Sequence, residues 1–458
     1  MTGTTPQQLV EAALAASRSE HCITIVEDTS SANLRWANNT LTTNGAMHGV
    51  QVSVIAFQGK ANASVSGSAA TVEQVQDLVA AADRTAAGET EAEDFAELVV
   101  GDAAADWDEP PAGTSIGVYA GFARDLGEAL DRAEKESRVL YGFVNHEVTT
   151  SYLGSSTGLR LRHVQPTGHY GCTGKNADLS RSAWVGGATR DFGDVDAHRM
   201  ADTLATRLGW AERATELPAG RYDTVLPPAA VADLMIEAYW SAGARVAHEG
   251  QSVYSRPGGG TRIGERIVNP GVRLFSDPAY DGLQAAPFVA TSYSSNTSSV
   301  YDNGLPLAPT DWIADGVLTS LIQTRHTAAM TGQPVTPAID NLVLDAGGSG
   351  SEADLVAGMD DGLLLTCLWY IREVDPETLL LTGLTRDGVY RVEGGEITGV
   401  VNNFRFNESP VDLLRRFTAA SATVPSFSRE WGDDYFSRTA TPALRVPDFN
   451  MSSVSQAL

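Results

Sequence analysis

One helical stretch near the middle of the chain most constrains the fold, because strand-rich sequence lies on both sides of it. Residues 229–268 read AAVADLMIEAYWSAGARVAHEGQSVYSRPGGGTRIGERIV. Val231, Leu234, Met235, Ala238, Tyr239, Ala242 and Val246 recur at helical spacing, so the segment opens as an amphipathic helix. That helix is expected to end on His248-Glu249-Gly250 and to give way to a glycine-rich, hairpin-like turn at Gly258, Gly259 and Gly260. Each half of the chain alternates helices with runs of strands. The fold class expected is therefore α+β: two domains, each with helices packed on a largely antiparallel sheet. Pro218-Ala219-Gly220 marks the best boundary, dividing residues 1–217 from 218–458 and placing the central helix at the start of the second domain.

Local signals place the elements. Thr5-Pro6-Gln7-Gln8 is a helix start with a capping box, and Thr71-Val72-Glu73-Gln74 begins a second helix. Between them, alternation at Val50, Val52 and Ile55 and turns at Asn38-Asn39 and Asn44-Gly45 predict strands. Residues 87–114 are acidic and punctuated by Pro and Gly, the composition of a connecting segment. A helix is predicted over 121–140, then an antiparallel meander, then a long helix over 195–217. The second half is again strand-rich, with a hairpin turn at Glu393-Gly394-Gly395-Glu396.

The chain has 458 residues, 43% hydrophobic and 19% charged, which is ample for two cores. Its net charge of -25 repels phosphate backbones and argues against nucleic acid as a partner. Cys22, Cys172 and Cys367 are odd in number and far apart, so neither a disulfide framework nor a zinc ribbon is predicted; each reads as a small buried hydrophobe. No basic segment followed by an apolar run opens the chain, and no stretch has the length of a membrane span, so a cytoplasmic location is expected.

Several motifs invite chemical readings. His248 and Glu249 offer an imidazole ligand and a general base, but the second histidine of an HExxH would fall at Ser252. The alternative is a polar helix end, where a histidine suits the dipole. His146-Glu147 is a second pair, on a strand. Strand alternation would set His163 and His169 on one face, but Pro166 and Gly168 are expected to break the register between them. Gly113-Thr114-Ser115-Ile116-Gly117 fits the serine-hydrolase pattern without the strand that must precede it. Gly258 to Gly264 lacks dinucleotide spacing, and Lys175 lacks a full phosphate-binding loop. Residues 291–304, TSYSSNTSSVYDNG, are capable of forming a strand that could add an extended peptide to a sheet edge; a solvated strand and loop is the plainer reading.

Taken in order, NLRWANNTLTTNGAMHGVQVSVIAFQGKANAS, PAGRYDTVLPPAAVADLM, SVYSR with IGERIV, YDNGLPLAPTDWIADGVLTSLI, NLVLDAGGSGSEADLVAGMDDGLLLT and GVYRVEGGEITG resemble successive segments of the TldD/PmbA family. The resemblance implies a cytosolic pair, in which a metal-bearing TldD-like subunit and a PmbA-like (TldE) subunit together degrade small or unfolded peptides. The metal subunit carries HExxxH on the central helix and a later cysteine. Placed on that pattern, this chain has Val253 for the second histidine and Arg386 for the cysteine, with Cys367 well upstream. The resemblance is thus to the PmbA/TldE type: no cofactor in this chain, zinc in a TldD-like partner, a dimer, and peptide substrates. Two other readings stay open: an autonomous metallohydrolase using His248 and Glu249, and a catalytically silent homo-oligomeric peptide-binding protein.

Overall fold

A computed structural model describes residues 4–432 and 438–455. The N-terminal half is built on one antiparallel sheet of long strands: β1 (His21–Ala37), β2 (Thr40–Gln58), β3 (Ala61–Ser68), β4 (Arg138–Ser155), β5 (Arg160–Asn176) and β6 (Ser182–Thr189), ordered β3-β2-β1-β4-β5-β6. Strand alternation gives the sheet two different faces. On one face, α1 (Pro6–Ala16) and α2 (Val72–Ala86) cover Cys22, Val26, Val52 and Val54. On the same face, α3 (Ala120–Lys135) and α4 (Ala197–Trp210) cover Leu34, Trp36, Leu140, Val144 and Cys172. The opposite face presents Ile23, Ile25, Ile55, Phe57 and Leu153 to Phe288, Val300 and Tyr301 of the second half. The predicted capping box is in place: Thr5 Oγ1 accepts from Gln8 N at 3.2 Å, and Thr5 N donates to Gln8 Oε1 at 2.9 Å.

The second half holds two further sheets. One is six-stranded and ends on Val424–Ser426, beside Thr439–Thr441. The other is ten-stranded and contains Gly220–Leu226, Asp361–Leu365, Leu368–Asp375, Leu380–Thr385 and Leu444–Val454. Most neighbours are antiparallel; Leu342–Asp345 with Thr439–Thr441, Gly220–Leu226 with Asp361–Leu365, and Glu396–Val401 with Ala214–Thr215 are parallel. The central helix, α5 (Pro228–Trp240), shares one apolar core with Leu342 and Leu344 of the first sheet and Leu363, Leu365, Phe404 and Phe406 of the second. It is buried almost all round, not amphipathic as the spacing suggested, because a sheet lies on each side of it.

Other expectations need correcting. The central helix stops at Trp240 and resumes as the short α6 (Ala244–His248). Between them Gly243 bridges to Ile322, and a Cβ there would lie 3.1 Å from Thr297 Cγ2. The helix predicted over 195–217 ends at Trp210, and Ala214–Thr215 joins the ten-stranded sheet instead. Residues 87–114 hold no helix or named strand, yet Phe95, Leu98 and Val99 pack into the interface core. Residues 291–304 are not a strand: they form an irregular loop ending in a turn at Val300–Asp302. Their hydroxyls bond locally or to Asp94, as Ser295 Oγ does with Ser298 Oγ (2.9 Å) and Ser299 Oγ with Asp94 (2.6 Å). Among the described residues no helix is long and apolar enough to cross a membrane.

Candidate functional site

One charged side chain interrupts the buried part of α5. Asp233 is 1% exposed. Its Oδ1 accepts from Ser428 Oγ at 2.5 Å and from Glu430 N at 3.0 Å, so the loop over residues 428–432 wraps around the helix, while Oδ2 is buried without a hydrogen-bond partner. Burial pushes this carboxyl up to about 7. One turn on, Glu237 is also raised to about 7, by burial and then by Glu373. Glu430 turns the other way, accepting from Tyr370 N (2.9 Å) and Ile371 N (3.0 Å) at a bulge where Tyr370 takes a left-handed backbone, φ 57°.

Next to Ser428, Arg429 reaches the junction of the two halves. Its guanidinium lies 5.0 Å from the Trp184 ring of β6 and 4.7 Å from the Trp369 ring. Nη1 donates to Cys367 Sγ at 2.9 Å and Nη2 to Asp387 at 3.2 Å, and Asp387 also accepts from Ser182 Oγ at 2.7 Å. Burial pushes the Cys367 thiol up to about 12, so it stays protonated and inert beside the cation. A further ring pair closes this junction, His169 stacking on Phe427 at 5.7 Å. Beside it, along the outer side of β6, lies a cavity of about 540 Å³ that also reaches Pro227 and Pro228 at the start of α5.

Three comparisons bear on this arrangement. The family model of the PmbA/TldA metallopeptidase C-terminal domain matches residues 219–453, more than half of the chain. The chain belongs to the TldD/PmbA family. A protein described as a metalloprotease from Methanothermobacter thermautotrophicus is 31% identical over 121 residues, covering 26% of this chain; the chain spans only 23% of that relative's length. TldE from Thermococcus kodakarensis superposes with a TM-score of 0.75 at 14% identity, over 97% of this chain and 99% of that one. A Thermotoga maritima protein described as a candidate modulator of a DNA gyrase gives 0.77 at 18% identity, over 97% and 100%. These likenesses extend the shared fold to both halves.

The zinc implied for a TldD-like subunit needs imidazole and thiolate donors around an open cation position. At the junction of this member of the TldD/PmbA family, the His169 imidazole is stacked on Phe427. The helix supplies Asp233 and Glu237, both biased towards the neutral form, and the thiol is protonated with a guanidinium already on its sulfur. A metal cation there would face the charge of Arg429. Among the described residues, no group of three or more His, Cys, Asp or Glu is arranged to hold a metal ion.

The residues singled out in the sequence are scattered. His248 is half-buried on α6, which packs on the Arg325–Thr331 helix, and Glu249 is exposed and paired with Arg245 at 3.1 Å. Val253 lies in the core, and Ser252 donates to Ser241 O at 3.3 Å. Arg386 adjoins the junction: its Nε lies 3.6 Å from Asp387, its guanidinium 5.8 Å from the Trp369 ring, and its backbone N–H donates to Cys367 O. His146 is buried and uses both ring nitrogens, on Thr114 Oγ1 and Arg190 O, each at 2.7 Å, while Glu147 points to the other face of β4. Ser115 caps the turn at Ile116–Tyr119 and has no strand before it.

The expected break between His163 and His169 is absent. β5 runs on through Pro166, because β6 covers only Gly168 to Lys175 and leaves β5 an edge where the proline sits. The two histidines do share a face, but about 20 Å apart, too far for one ligand. His163 bonds Gln165 Oε1 at 3.1 Å, and burial lowers its pKa. The sequence reading missed Asp233, Arg429 and Asp387. A lone aspartate in AAVADLM was the one visible signal, since charge inside an apolar helix needs a partner.

Proposed function

We propose that this chain is the PmbA/TldE-type, non-metal subunit of a cytoplasmic TldD/TldE-type peptidase complex. It pairs with a TldD-like homologue that carries zinc, and the pair encloses and degrades small or unfolded peptides. The observation that supports this reading most directly is the occupied junction: Arg429 and Asp387 form an internal ion pair on Cys367, a neighbourhood suited to rigidity and not to metal chemistry. Its contribution to the complex would be walls and peptide positioning, with the bond-breaking group supplied by the partner.

The test is co-purification. The tagged chain, expressed in its own host, is expected to bring down a TldD-like homologue in a fixed ratio, and the pair to hydrolyse unfolded peptide while the lone chain does not. Recovery of the chain alone, or peptide hydrolysis by the lone chain, would contradict the subunit reading.

A further inference from the structure

We infer that the free end of β2 pairs with the same strand of a second copy of this chain, joining the two N-terminal sheets edge to edge. β3 covers β2 only from Gln51 to Gln58, and Ala69 N donates to Val50 O just beyond it. From Thr40 to Gly49, β2 is paired with β1 on one side and with no described strand on the other. The N–H and C=O of one strand residue point to the same side, and the side alternates along the strand. Val50 O points away from β1, so the peptide groups of His48, Ala46 and Asn44 do too; the register shift of this pair lies past them, between Arg35 and Trp36. The free stretch reads TLTTNGAMHG, without a charge or a proline in a chain that is 19% charged. Edges elsewhere are blunted: Leu368–Asp375 is bulged and carries Arg372, Glu373 and Asp375, and Val424–Ser426 carries Pro425. An edge left open is a template for another strand.

The stretch is complementary to itself. Two antiparallel copies related by a two-fold axis at Ala46 set Ala46 opposite Ala46 of the second copy and Asn44 opposite His48, so the open residues of both strands exchange hydrogen bonds. The residues between them point to the other face of the sheet and approach more closely across such a pair. There Met47 meets Gly45 of the second copy, and Thr43 meets Gly49. Met47 is 68% exposed and has no packing of its own to lose. Both glycines leave room: a Cβ at Gly49 would have nothing within 4 Å, and one at Gly45 only the Asn33 side chain at 3.8 Å. Moving the axis to Gly45 would set glycine on glycine and Met47 on Thr43, and lose that fit. His48 Nε2 lies 2.8 Å from Asp28 Oδ1, which ties the open stretch to β1. A net charge of -25 opposes the approach of two copies, and an uncharged edge lets them meet without setting like charges opposite each other. The self-complementarity belongs to this chain's own residues, so the inference does not rest on the proposed function.

The test measures the mass of the full chain, alone, by sedimentation equilibrium from micromolar to submillimolar concentration. The mass should rise from that of one chain towards that of two. Ala46→Glu sets two carboxylates opposite each other at the axis and should weaken the dimer about tenfold or more. Ala46 is exposed, so the fold tolerates that change. Oxidative cross-linking reads the register. Ala46→Cys should join two chains through a disulfide, whereas Thr43→Cys should not, because its mate lies six residues along the paired strand, about 20 Å away. Cys22, Cys172 and Cys367 are buried and should not contribute. A chain monomeric throughout, a dimer that Ala46→Glu leaves unchanged, or cross-linking as fast at Thr43 as at Ala46 would overturn the inference. A chain monomeric on its own that a TldD-like homologue engages along this strand would give the edge to that homologue and overturn it too. The lone chain is used for the mass and the cross-links, so a monomer leaves the subunit reading standing, and a failed co-purification leaves a dimer of copies standing.

Discussion

Arg429 shows how much one side chain can organise. It stacks between tryptophans from the two halves of the chain, caps a thiol and neutralises Asp387, whose side chain is 8% exposed. Removing it leaves that carboxylate only the more distant Arg386 and Ser182 Oγ, so Arg429→Ala should lower the unfolding free energy by about 2 kcal/mol, the scale of a hydrogen bond to a charged group, read by chemical denaturation. Arg429→Lys should fall between, keeping charge but losing the planar fork. A neutral Arg429→Ala would remove the ion pair from the account of the junction.

Asp233 makes the complementary prediction. Its carboxyl is raised from 3.8 to about 7 by burial, so the folded state holds its proton more tightly than the unfolded state does. Its contribution is full below pH about 3.8 and is lost as pH rises through about 7. Asp233→Asn keeps an acceptor for Ser428 and Glu430 N and removes the ionisation. The thermal midpoint of the variant should therefore gain on that of the parent as pH rises from about 4 to 8. A difference independent of pH would show that the carboxyl is not held protonated by the fold.

At the scale of elements, the capped helices and the meander were legible because their signals are local: a Thr-Pro-Gln start, alternating strands, glycine turns. The errors arose where tertiary contacts decide. Helical spacing could not show that α5 has a sheet on each side, nor that Gly243 pairs with Ile322 and cuts the helix before His248. Pro166 read as a breaker because nothing local reveals that β5 is an edge there. Hydroxyls in residues 291–304 satisfied the backbone locally and kept it out of a sheet. Two variants separate packing from backbone effects. Leu234→Ala, fully buried on α5, should cost about 3 kcal/mol by leaving a cavity. Gly260→Ala, with open space around its Cβ but φ 85°, should cost about 1 kcal/mol through backbone strain alone. Equal costs at the two positions would contradict this division between core packing and loop conformation.

For the whole molecule, the order of weak motif matches carried the family, and a family model over residues 219–453 establishes it. The functional site was far less legible. Asp233, Cys367, Asp387, Arg429 and Trp184 lie on five separated segments, and only folding brings them together. His248 and Glu249 drew attention as neighbours in sequence, yet the fold leaves them at a half-exposed helix end with Arg245. The central claim is that this chain works as the non-metal half of a peptidase pair. Metal content by mass spectrometry tests it most directly, measured on the purified chain alone and on the chain co-expressed with a TldD-like homologue. The account predicts metal and peptidase activity only in the pair. Near-stoichiometric metal in the lone chain, lost in His248→Ala, would contradict it and return His248 and Glu249 to the centre of the mechanism.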